Sequence, residues 1–270
     1  MRWSNYDCFW GRPLKSICCL LDGQILNFNY FHLSSSNITY VNGPFEDKEV
    51  KIKNFEEYLK VLGKSNIELD HKKREAKIRK SLNELLKKNK CSTELNIRLI
   101  EEVVNLVENP VILKGKFDKE YLSLPDELLN LTMINNQRYF PMKLEIDNKL
   151  TNSFLFVANN FDNKNLITKG NEKVIDARLS DAKFFWDKNK KQSLVKQVTK
   201  LNSIVFYQKL GSLYDKTQRV RQLSSVIADS IGANKADTEI AASISKSDLV
   251  SDLVGEYPEL QGIIGSYFAT

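Results

Sequence analysis

The sequence predicts an α+β chain: a mixed α/β module with antiparallel hairpins over about residues 1–170, then an all-helical module. Three observations carry that expectation. The first third alternates short apolar runs with Asp-Gly and Asn-Gly turn signals, as antiparallel strands do. The middle mixes capped helical stripes with further strand runs. From residue 171 onward only helical patterns are seen, which makes 171–208 connecting helices and 209–270 a further helical domain.

Taken in order, Ser16–Leu21 and Gln24–Phe31 flank Asp22-Gly23, a strong hairpin signal because the turn needs positive φ. Asn37–Val41 and Glu49–Ile52 read as strands about the Asn42-Gly43-Pro44 turn. Asn54 caps a helix, with Glu57 placed for a capping box and Gly63 as its end. A short strand, Ile67–Leu69, precedes Asp70, which caps a helix over 71–90 with the stripe Ile78, Leu82, Leu85. A helix over 94–107 carries Leu95, Leu99, Val103 and Val107, and Val111–Phe117 follows as a strand. Leu124-Pro125-Asp126 opens another helix. Tyr139–Ile146 and Phe154–Ala158 form a second hairpin about Asp147-Asn148-Lys149, the latter strand apolar on both faces. Helices are then expected at 171–187, 190–208, 212–231, 237–254 and after Pro258, with Asn171 as the first cap.

The 270 residues, 42% hydrophobic and 27% charged, suit a soluble globular protein with a sizeable core. No apolar run approaches the roughly 20 residues of a membrane helix, and the start lacks a signal-peptide layout. A cytoplasmic location without membrane contact is expected. Cys8, Cys18, Cys19 and Cys91 make no C-x-x-C pair, and His32 and His71 are the only histidines. No metal ligand set and no Ser-His-Asp triad can be assembled from these. There is no Walker A motif and no G-x-G-x-x-G after a strand, so no catalytic residue and no bound cofactor are assigned.

The net charge of +6 favours polyanionic partners. Lysine outnumbers arginine, however, and Asn and Ile are plentiful, as A/T-rich coding produces. Six of the nine residues 72–80 are Lys or Arg, opposed only by Glu75. Lys72, Lys73, Arg74 and Lys77 are therefore one candidate RNA-binding patch, against the plainer reading of a solvated helix face. The segment GNEKVIDARLSDAKFFWDKNKK at 170–191 leaves three readings open. It is a helix docked by its aromatics with an Arg178–Asp181 ion pair, an RNA-backbone surface using Lys188, Lys190 and Lys191, or a catalytic site. The last lacks a nucleophile, a ligand set and a phosphate loop.

GNEKVIDARLSDAKFFWDKN (170–189), FYQKLGSLYDKTQRV (206–220) and ISKSDLVSDLVGEYPELQGIIGSYFA (244–269) resemble the β subunit of bacterial heterotetrameric glycyl-tRNA synthetase. LVENPVILKGKF (106–117), LPDELLNLTMINNQRYFP (124–141) and NSFLFVANN (152–160) support this, as do MRW at 1–3 and RP at 12–13. The resemblance implies the central fragment of such a subunit, with sequence missing at both ends. It implies a chain that binds and positions glycine tRNA, beside an α subunit that houses ATP, Mg, glycine and the chemistry. A second β subunit is implied as a partner. The fragment alone is then expected to be inactive as a glycine–tRNA ligase.

The helical end further resembles the start of an HD-type domain, which makes the second module HD-like. Ser247 and Asp248 align with the metal-binding His and Asp of that motif. A serine is a poor substitute for imidazole, so Asp248 is expected to form an ion pair with Lys246 or Lys216. Two rivals follow: an HD-type metal phosphohydrolase, and a structural scaffold without RNA contact.

Overall fold

A computed structural model describes residues 2, 9, 11, 14–41 and 47–269. Met1, Trp3, Cys8, Arg12-Pro13 and the Asn42-Gly43-Pro44 turn lie outside the described residues. Helices and small, mostly antiparallel sheets make a mixed α and β structure in two compact units. One comprises residues 1–84, 96–112 and 157–161; the other comprises 85–95, 113–156 and 162–270.

In the first unit, Leu20–Leu21 pairs antiparallel with Gln24–Ile25. Asp22 and Gly23 between them have φ of 50° and 79°, the positive values a tight hairpin needs. Ile17–Cys18 runs parallel to Leu33–Ser36, which pairs antiparallel with Asn29–Tyr30. Ile38–Val41 pairs with Lys48–Lys51.

Helix α1 (Phe55–Lys64) starts on Asn54, whose side chain accepts from Glu57 N at 2.8 Å. Glu57 in turn accepts from Lys53 N at 2.8 Å, one residue before the cap itself. Gly63 does not end α1; the chain turns at Asn66, with φ of 57°. Asparagine tolerates this left-handed position because its short polar side chain bonds locally. Residues 67–69 are loop rather than strand, with one ladder-like bond from Glu68 N to Glu108 O at 2.9 Å.

Asp70 opens α2 (His71–Lys88), its carboxylate accepting from Lys72 N at 2.8 Å. That bond and the nearby cations hold the Asp70 carboxyl below the usual range. Ile78 and Leu82 are fully buried, and Leu86 rather than Leu85 completes the stripe. Helix α3 (Ile97–Leu106) is capped by Asn96 and begins after Leu95, which stays exposed. Its four buried residues are Leu99, Ile100, Val103 and Val104.

Most residues of a four-stranded sheet belong to the second unit; its order is Cys91–Ser92, Phe140–Leu144, Leu150–Ala158, Val111–Lys116. The bend at 147–149 is as expected, with Asn148 at φ of 56°. Phe154, Leu155 and Phe156 are all buried, so both faces of that strand are covered. Tyr139 stacks on Phe154 with ring centroids 4.5 Å apart. Gly115 lies against the same ring; a Cβ there would come within 2.5 Å of it. Burial pushes the Tyr139 phenol up to about 12, and it donates to Asn171 Oδ1 at 2.7 Å. Helix α4 (Asp126–Leu131) follows Pro125 directly and runs into a π turn, Thr132–Asn136.

Helix α5 (Leu166–Lys190) starts earlier than expected and is continuous across residue 170. Asn171 lies inside it. The group meeting its exposed amides is Asp162, accepting from Ile167 N at 3.0 Å and Thr168 N at 2.8 Å. Ile175, Leu179 and Ala182 are fully buried, and Trp186 sits against the rings of Tyr267 and Phe268.

The expectation of helices alone after 171 is overturned at 190–208. That stretch holds α6 (Leu194–Gln197), a 3-10 turn (Val198–Ser203) and the strand Val205–Tyr207, which pairs just beyond it with Gly211–Ser212 as a hairpin. Val-Phe-Tyr favours a strand, and Gly211 at φ of 84° turns the chain back. Ser212 and Asp215 then form a reciprocal capping box on α7 (Leu213–Ile231), which ends at Gly232. The single helix expected at 237–254 is broken into α8 (Lys235–Ile244), a 3-10 turn (Ser247–Val250) and α9 (Asp252–Glu256). A further 3-10 turn, Pro258–Leu260, precedes α10 (Ile263–Ala269). Among the described residues no helix is long and apolar enough to cross a membrane.

Candidate nucleic-acid interface

Asp70 sets the phase of α2, and Ile78 and Leu82 bury one side of it. That leaves Lys72, Lys73, Lys77 and Lys80 exposed in the first unit. Lys72, Lys73 and Lys80 make no ion pair among the described residues. The two arginines of the run are committed elsewhere. Arg79 pairs with Glu75 at 2.7 Å. Arg74 donates to three backbone carbonyls: Glu68 O at 2.7 Å, Leu69 O at 2.9 Å and Val104 O at 3.0 Å. It ties the start of α2 to α3 and to the preceding loop. Lys77 is tethered to Asn109 Oδ1 at 3.2 Å, and Asn109 N is itself held by Asn159.

Arg74→Ala is expected to cost about 1–2 kcal/mol, since it strands carbonyls that a charged donor served. Lys72→Ala is expected to change stability by less than about 0.5 kcal/mol. Paired urea titrations of the two variants check this division of roles.

The second patch divides in the same way. Lys188 pairs with Asp252 at 3.0 Å. Asn189, almost fully buried, donates to the same carboxylate at 3.1 Å and accepts from Leu253 N at 2.9 Å. The hydrogen bonds from Lys188 and Asn189 hold the Asp252 carboxyl below its ordinary range. Lys190 and Lys191 are exposed, without an ion pair among the described residues. Arg178 and Asp181 do not form the expected pair. Both are exposed on α5.

Ser247 and Asp248 are buried within the 3-10 turn. The expected ion pair of Asp248 with Lys246 or Lys216 is replaced by a backbone bond. Its Oδ2 accepts from Gly262 N, and its carbonyl accepts from Ser251 N at 2.9 Å and Ser251 Oγ at 2.6 Å. Lys216 instead stands over the ring of Phe206, 4.1 Å from its centroid. Among the described residues no three His, Cys, Asp or Glu side chains converge as a metal-ligand set. A neutral serine beside a carboxylate already taken by an N–H does not fit a divalent cation.

The family model of the glycyl-tRNA synthetase beta subunit matches residues 1–270. The chain belongs to that family. It is 40% identical over 270 residues to the glycine–tRNA ligase beta subunit of Rickettsia canadensis. The same-named proteins of Rickettsia prowazekii and Rickettsia typhi are 40% and 42% identical over 270 residues. Each comparison covers all of this chain, which spans about 40% of the length of those relatives.

For this beta-subunit family member, the helix expected at 190–208 takes in Val205–Tyr207, the first strand of the hairpin. The signal was present in three consecutive β-forming residues ahead of Gly211. The structural roles of Arg74 and Lys188 carried no such signal. Their partners are carbonyls of the preceding loop and of α3, and a carboxylate far along the chain, which spacing along one helix cannot reveal.

Proposed function

We propose that this chain forms the tRNA-holding part of a glycine–tRNA ligase beta subunit. The observation that carries the reading is the set of exposed lysines on α2 and at the C-terminal end of α5 that make no ion pair among the described residues: Lys72, Lys73, Lys190 and Lys191. Such side chains grip phosphates through counterion release. The relatives' name, glycine–tRNA ligase beta subunit, supports tRNA as the polyanion. On this reading an alpha subunit binds ATP, Mg and glycine and performs the joining. The beta chain, paired with a second copy in the cytoplasm, orients the tRNA. The 270-residue chain by itself then forms no glycyl-tRNA. Its second module is an HD-like frame whose Asp248 works as a backbone acceptor.

The test is a salt titration of glycine tRNA binding to the chain and to a variant with Lys72, Lys73, Lys190 and Lys191 changed to Glu. Each lost phosphate contact flattens the dependence of log K on log salt by about 0.7–0.9, so the slope is expected to become shallower by about three. Equal slopes and equal low-salt affinities would remove these lysines from the account and favour the scaffold reading.

A further inference from the structure

We infer that the hairpin at 205–212 is a stacking platform for unpaired RNA bases, an inference that rests on the tRNA reading above. All three residues of its first strand are exposed, Val205 at 75% and Tyr207 at 63%. The cross-strand partner of Tyr207 is Gly211, which has no side chain to cover the ring. That bareness is built in. Gly211 has a φ of 84°, and a Cβ on it would run into the Asp215 carboxylate. A side chain there would be strained by the positive φ and would have to displace the Asp215 cap.

Cations lie along the same hairpin, though among the described residues none is placed on the Tyr207 ring itself. Lys216 stands 4.1 Å from the Phe206 centroid. Arg219 donates to Leu210 O at 3.1 Å, which brings its guanidinium to the hairpin turn. Lys209 lies exposed within that turn. The nearby acid, Asp215, is occupied by Ser212, accepting from its N at 2.8 Å and its Oγ at 2.9 Å. The site therefore offers a π-face together with phosphate-seeking charge.

Those two features select the partner. An apolar helix would have to desolvate Lys209, Lys216 and Arg219 without giving them counter-charges. Duplex RNA keeps its bases stacked inside and gives Tyr207 nothing to meet. Unpaired nucleotides supply a base for the ring and a phosphate for the lysines.

Binding of the full chain to a 2-aminopurine-labelled single-stranded oligoribonucleotide of about eight nucleotides, and to a blunt RNA duplex of equal length, tests this. Tyr207→Ala is expected to weaken single-strand binding about ten-fold and to leave duplex binding unchanged. Tyr207→Trp is expected to restore it. Unchanged single-strand affinity in Tyr207→Ala overturns the platform, and so does equal weakening toward the duplex. Loss of alpha-subunit capture with RNA binding intact overturns it in favour of a protein face. The lysine-to-glutamate variant keeps the two readings apart. If it loses tRNA while Tyr207→Ala binds normally, only the platform falls. If Tyr207→Ala alone loses single strands, only the lysine patches fall.

Discussion

Phe154→Ala is expected to destabilise the chain by about 3–5 kcal/mol, the range for emptying a fully packed aromatic site. Phe154 is fully buried, lies parallel to Tyr139 at 4.5 Å, and has Phe156 at 5.9 Å. The alanine forfeits both the burial and the ring–ring contacts. Collapse of the void is opposed on one side by Gly115, where only backbone is present. Urea unfolding followed by circular dichroism measures the loss. A change below about 1 kcal/mol would mean that the strand Leu150–Ala158 is not covered on both faces.

Asp248→Ala is expected to cost about 3 kcal/mol. It removes a charge-assisted bond worth about 1.5–3 kcal/mol and leaves the Gly262 amide without its acceptor. Asp248→Asn keeps an acceptor of the same shape and is expected to recover most of that loss. The surroundings are specific for this contact: a Cβ on Gly265 would come within 2.9 Å of the carboxylate. The same measurement separates a backbone acceptor from a metal ligand. Added Mn²⁺ is expected to leave the melting temperature of the parent chain unchanged. A metal-dependent rise that vanishes in Asp248→Asn would revive the phosphohydrolase reading.

What could be read from the sequence followed a physical pattern. Local devices were legible, because their causes lie within a few residues. Asp22-Gly23, the Asn54 and Asp70 caps, and the bend at 147–149 each combine a side-chain type with a backbone position it favours. The buried strand at 154–158 was legible from its two-sided apolarity. Devices closed by distant partners were hidden. The cap on α5 is near in sequence but irregular: Asp162 reaches the first amides from beyond the left-handed Asn165, so no cap residue directly precedes the helical pattern. Lys188 is answered by Asp252, far along the chain, which no helical spacing reveals.

The candidate site showed the same limit. A run of cations identifies where charge is dense, but not which charges are already answered within the fold. Arg74, with three carbonyls around it, reads in the sequence like its neighbour Lys73. Only the folded chain separates them.

The last turn of α5 is fastened to α9 by three contacts: Lys188 to Asp252, and Asn189 to both Asp252 and Leu253. Lys190 and Lys191 therefore stand on a braced mount instead of a fraying end. A polyanion meeting them has little backbone disorder to quench, so more of the ionic attraction survives as affinity. Unfastening Asn189 would loosen that handhold without altering a single charge on it.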